Sequence, residues 1–100
     1  MKKLAFISSA FIGTAAIVAW GLSVRAGINT FTGNVERVWE DGFTLRTEAR
    51  RITVDSWDLC GDFTARHVAV GDRLTVTGEF ERGEFDAFSI ETLEQKQVCS

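Results

Sequence analysis

Two cysteines, Cys60 and Cys99, and a single histidine, His67, are the residues of this chain with the most chemical reach. Cys60 stands in a polar turn, SWDLCGDF, with no second cysteine or histidine at metal-ligand spacing, and the chain has no C-x-x-C. Zinc binding and dithiol redox chemistry therefore both lack the spacing they need. No serine is paired with His67 in a nucleophile motif, and the imidazole reads as a surface residue of a connecting segment. The acid pairs Asp58 with Asp62 and Glu79 with Glu81 read as a solvated face rather than a cation site. The expectation is a chain with no catalytic residue, no metal and no cofactor. For the thiols, the reading is a disulfide joining Cys60 and Cys99. By chain-entropy reasoning, a bridge between these positions contributes about 4 kcal/mol. Two free thiols are the alternative.

That bridge needs an oxidising compartment. The N-terminus supplies the route: MKK is followed by the uncharged run Leu4 to Val24 and then by Arg25, Ala26 and Gly27. This is the layout of a signal peptide, with Val24 and Ala26 at the two positions a signal peptidase inspects. Cleavage between Ala26 and Gly27 would divide the chain into a signal, residues 1–26, and one small domain, residues 27–100. An uncleaved membrane anchor is the alternative, since the run approaches the roughly 20 apolar residues that span a bilayer. In either case Lys2 and Lys3 keep the N-terminus in the cytoplasm and the rest is exported, to the periplasm or beyond the cell.

Charge narrows the partners. Of the 11 basic and 14 acidic residues, Lys2, Lys3 and Arg25 but no acid fall in 1–26, so residues 27–100 carry 8 basic and 14 acidic side chains, net −6. Such a balance leaves no strongly basic patch to neutralise phosphates, and nucleic acid is an unfavoured partner.

From Thr30 onward apolar residues recur at every second position, the period of a half-buried strand. Phe31, Gly33 and Val35 share a face that Val38 continues after a one-residue slip at Glu36 and Arg37, as a β-bulge would produce. Asp41-Gly42 is the strongest turn signal and predicts a two-residue hairpin that sets Val38 against Leu45, Trp39 against Thr44 and Val35 against Thr47. A second turn at Ala49-Arg50 would set Glu48 against Arg51 and bring Ile52 and Val54 inward. Alternation then stops over residues 58–72, where Asp62 could cap a short helix through FTARHV with Phe63 and Val68 turned inward. Two more strands follow, with Leu74, Val76 and Gly78 inward on the first and Phe88 and Ile90 on the second. A three-residue loop, Arg82-Gly83-Glu84, sets Val76 against Ile90. The expected fold is all-β, a five-stranded, OB-fold-like Greek-key barrel with a short helical or looped connection between strands 3 and 4. Its interior is filled by side chains and leaves no ligand cavity. Another small β-barrel is the competitor.

The phrase HVAVGDRLTVTGEFERGEFDAFSIE, residues 67–91, resembles the second half of small exported bacterial OB-like domains of unknown function. There a V-G-D-x-(V/L)-x-V-x-G step enters the fourth strand. FTGNVERVWEDGFTLRT looks like their opening hairpin, and the resemblance spans nearly all of residues 30–93. It implies the fold and export and no activity. A looser likeness is to periplasmic OB-fold proteins linked to stress tolerance. The haem chaperones of cytochrome maturation share the plan, but their histidine follows the barrel with a tyrosine after it. This chain has no tyrosine. Val70-Gly71-Asp72 also has a local explanation, since an aspartate beside a turn glycine can accept bonds from turn amides.

In OB-folds the exposed face of strands 2 and 3 receives the ligand. Here that face would present Arg46, Arg51 and Trp57, with Arg37 and Trp39 beside them on strand 1. Tryptophan with arginine is the usual composition of an interaction hot spot. The expected function is non-enzymatic binding of a protein or peptide in the cell envelope. The alternatives are an oligosaccharide or other small molecule stacked on Trp39 or Trp57, and, less favoured, single-stranded nucleic acid. Membrane contact is expected only if the N-terminal segment is retained. Against a binding role stands the possibility that the connecting segment covers Trp57 and the chain end covers Trp39.

Overall fold

The computed structural model describes residues 27–99. The signal or anchor read in residues 1–26, and Ala26 of the cleavage site, lie outside the described residues; Gly27 is the first of them. Most described residues lie in five strands: β1 (Ile28–Trp39), β2 (Gly42–Arg46), β3 (Arg51–Asp55), β4 (Arg73–Glu81) and β5 (Glu84–Thr92). Between β3 and β4 run a one-turn helix, α1 (Trp57–Cys60), and a 3-10 turn at Thr64–Arg66. The strands form one sheet in the order β1-β2-β3-β5-β4, and β4 pairs back onto β1 to close the ring.

All neighbours are antiparallel except β3 and β5, which run parallel through Val54↔Phe85 and Asp55↔Asp86 alone. β1 serves two partners because it coils. Its first half, Ile28 to Asn34, pairs with β4, and its second half, from Asn34 on, pairs with β2. Gly33 marks the changeover: a Cβ there would run into the backbone carbonyl of Arg46, so only glycine lets β2 come this close. Immediately after it the register shifts between Val35 and Arg37, leaving Glu36 as the extra residue of a bulge, as the slip in alternation predicted.

The interior is packed by Val35, Phe43, Leu45, Ile52, Val54, Leu74, Val76, Phe85, Ala87 and Ile90, with Val68 from the connection and Val98 from the chain end. Alternation had placed Ile52, Val54, Leu74, Val76, Gly78 and Ile90 inward, and all are buried. Hairpin registers differ from expectation. The first turn is Glu40-Asp41, with Trp39↔Gly42, Val38↔Phe43 and Val35↔Leu45. Gly42 belongs to the strand because its missing side chain leaves room for the Trp39 indole and for the Val54 carbonyl. At the second hairpin Arg46, not Glu48, faces Arg51, and Thr47 closes the turn by donating its amide to the Arg50 carbonyl at 2.8 Å. The Thr47 hydroxyl accepts from the Ala49 and Arg50 amides, an arrangement that fixes this turn one residue earlier than read.

The third hairpin has a two-residue loop, Arg82-Gly83, both at positive φ (54° and 86°), rather than three residues. A bulge between Thr77 and Gly78 restores the pairing of Val76 with Ile90, so the correct partner was reached by another route. The same bulge turns Phe88 out: it is 45% exposed, while Phe85 and Ala87 take the inward places. In the connection, Asp62 caps nothing. The helix starts earlier, at Trp57, whose amide donates to the Asp55 carboxylate at 2.9 Å. Val68 is buried as expected, and Phe63 is exposed.

Two ties hold this connection to the ring. The buried hydroxyls of Ser56 and Thr64 share a hydrogen bond of 2.6 Å, so neither is left unpaired, and the Thr64 amide donates to the Glu40 carbonyl. The Cys60–Cys99 disulfide is the second, binding the helix to the chain end.

Candidate binding face

The outward side of β1, β2 and β3 is built in rows set by the register. Trp39, Gly42 and Asp55 form one row, and Arg37, Thr44 and Thr53 the next. The third holds Asn34, Arg46 and Arg51. Four of the five residues singled out from the sequence, Arg37, Trp39, Arg46 and Arg51, thus share one face. Trp57 follows two residues after Asp55 at the edge of it.

Their environments differ. The Arg37 guanidinium lies 5.9 Å from the centre of the Trp39 ring. Trp39 itself is half-buried, its indole against the bare Gly42. Trp57 is 55% exposed, so the connecting segment does not cover it. Arg46 and Arg51 sit opposite one another and would repel, but Glu36 lies between them, 2.7 Å from Arg51 Nε and 3.6 Å from Arg46 Nη1. Glu36 was missed as a site residue because a bulged residue has no place in a period of two. The slip that marks the bulge was the available signal, since bulges re-aim side chains. The triad is substantially exposed, and such pairs contribute little to stability. It gathers two guanidinium groups about one carboxylate on the surface.

Elsewhere the polar residues serve local structure. Asp72 accepts the Ala69 amide at 2.9 Å, the turn-holding role read from Val70-Gly71-Asp72. His67 is exposed beside an open cleft of about 310 Å³ with Asp72, Arg73 and Glu94. Among the described residues no three His, Cys, Asp or Glu side chains converge as metal ligands would.

Beyond the Trp39, Gly42 and Asp55 row the surface is acidic. Asp55, Glu81, Glu84 and Asp86, with Arg82 as the one cation, line a cleft of about 370 Å³, and Glu79↔Asp86, Glu81↔Glu84 and Asp55↔Asp86 are directly opposed like charges. Burial raises the Asp86 carboxyl above its ordinary value of 3.8, and the charges of Asp58, Asp55, Glu81 and Glu79 raise it further. A folded-state pKa above the unfolded one means the folded chain holds the proton more tightly. Ionising Asp86 therefore weakens folding as pH rises from 3.8 through the raised pKa. Asp86→Asn is expected to raise the thermal midpoint at neutral pH, an advantage that vanishes at pH below 3.8. Identical midpoints at neutral pH would mean that solvent screens this face completely.

No protein family, no curated protein and no solved structure matches the chain.

Proposed function

We propose that this chain is an exported, non-enzymatic OB-fold domain that binds a protein or peptide partner through the outward face of β1, β2 and β3. The fold assignment is supported by the ring order β1-β2-β3-β5-β4 with a helical connection between β3 and β4. Export is supported by the Cys60–Cys99 disulfide, a bond that persists in oxidising compartments. The observation that carries the binding role is an exposed indole, Trp57, at the edge of a face that also presents Trp39 under Arg37 and the pair Arg46 and Arg51 about Glu36. An exposed tryptophan beside arginines is the composition of a hot spot.

The test is photo-crosslinking in the cell envelope from a probe placed at Thr53, comparing wild type with Trp57→Ala. A discrete crosslinked partner that disappears in Trp57→Ala is the expected result. Since Trp57 is exposed, its removal should change the unfolding midpoint little, so a lost crosslink reports binding. A crosslink that survives both Trp57→Ala and Trp39→Ala would sink the proposal. Quenching and shift of tryptophan emission by oligosaccharides, with no protein crosslink, would favour a sugar stacked on the same rings.

A further inference from the structure

On another part of the surface, where β1 has left β2, a trough of about 360 Å³ runs between Thr30, Phe31 and Thr32 of β1 and the turn linking β2 to β3. Two features of this trough are unpartnered among the described residues. The first is backbone. From Ile28 to Gly33, β1 pairs with β4 on one side only, because pairing with β2 begins at Asn34. Alternate N–H and C=O groups of this stretch face the trough as an open sheet edge, the template for strand addition.

The second is charge. Arg50 and Arg73 both line the trough, and neither forms an ion pair, whereas Arg46 and Arg51 are occupied by Glu36. The Arg50 guanidinium lies over the rings of Phe31 and Phe80, at 5.5 and 4.9 Å from their centres. Stacking uses the flat faces of the group and leaves its N–H edge free to grip a carboxylate. Arg73 gives one N–H to Asn34 at 3.0 Å and keeps the rest. Glu48 on the rim offsets one of these two charges, so the trough is cationic on a domain that is otherwise acidic.

We propose that this trough binds an extended peptide of alternating acidic and apolar residues, added as a strand along Ile28–Gly33. In a strand, successive side chains point to opposite faces. One set would stand with Thr30 and Thr32, beside Arg73, and the other with the half-buried Phe31. This is a second site, and it does not depend on the Trp39 and Trp57 face.

The probe is a fluorescein-labelled peptide of alternating Glu and Val, with a Lys and Val peptide as control, titrated into the full chain. Anisotropy should rise with the acidic peptide alone, and amides between Ile28 and Gly33 should gain protection from exchange at alternate positions. Arg73→Gln should weaken binding about tenfold, the size of one lost charge-assisted hydrogen bond, and Arg50→Gln, on the Phe31 face that meets the apolar set, should weaken it less. Arg73→Gln removes no buried packing and keeps the test valid if Arg50→Gln is unstable. Arg66→Gln removes the same charge from the connecting segment, where the guanidinium stacks on Phe63, and should leave affinity unchanged. Three results overturn the proposal: no binding, equal weakening by Arg66→Gln, or displacement by free glutamate or sulfate with no protection gained along β1. The last would define an anion pocket instead of a strand site.

Discussion

Cys99→Ser is expected to destabilise the domain by about 4 kcal/mol. The bridge joins positions 39 apart in sequence, so its absence frees a long loop in the unfolded chain. In the folded chain it also anchors the C-terminal tail, where Val98 is buried and its amide donates to the Ile90 carbonyl, while Gln97 bridges to Glu91. A small domain has little stability to spare. At roughly 4–8 °C per kcal/mol, the thermal midpoint should fall by at least about 15 °C. Urea unfolding measures this directly: Cys60→Ser, Cys99→Ser and the reduced wild type should share one midpoint. A loss below about 1 kcal/mol would mean that the bridge constrains a loop already ordered in the unfolded state.

How far the sequence foretold this architecture depends on which physical rule was being read. Period-two alternation is dictated by burial, and it placed Ile52, Val54, Leu74 and Val76 correctly because each lies in a strand with one dry face. Turn chemistry was less reliable. Asp41-Gly42 carries the strongest local hairpin signal, yet Gly42 is needed one step later as the flat floor under Trp39, a contact between side chain and backbone that no local rule encodes. At Arg82-Gly83 the turn was simple and the bulge beside it was the hidden element, which is why Phe88 faces solvent. The binding face shows the same division. Arg46 and Arg51 could be assigned to one surface from alternation, whereas Glu36, which pairs with both, comes from the bulge. The trough beside Thr30 was not legible at all, since it arises where a coiled strand exchanges one partner for another.

The second large effect is Phe85→Ala, expected to cost about 3–5 kcal/mol, as loss of a fully buried phenylalanine does. Phe85 is 0% exposed and pairs with Val54 in the short parallel contact between β3 and β5. Its ring meets Phe31 and Phe80 edge-on, with centres 5.2 and 5.0 Å apart, so three aromatics plug this end of the interior. Phe80 is 40% exposed and should cost less to truncate. The two substitutions share a contact, so they should not add: a double-mutant cycle is expected to show coupling of about 0.5–1.5 kcal/mol. Strict additivity would show the rings to be independent hydrophobes. Because Arg50 stacks on Phe31 and Phe80 rather than on Phe85, Phe80→Ala should also weaken acidic-peptide binding, by removing one of the two surfaces that orient the guanidinium. A loss of affinity in Phe80→Ala, measured where the variant is fully folded, would tie the aromatic plug to the trough it borders.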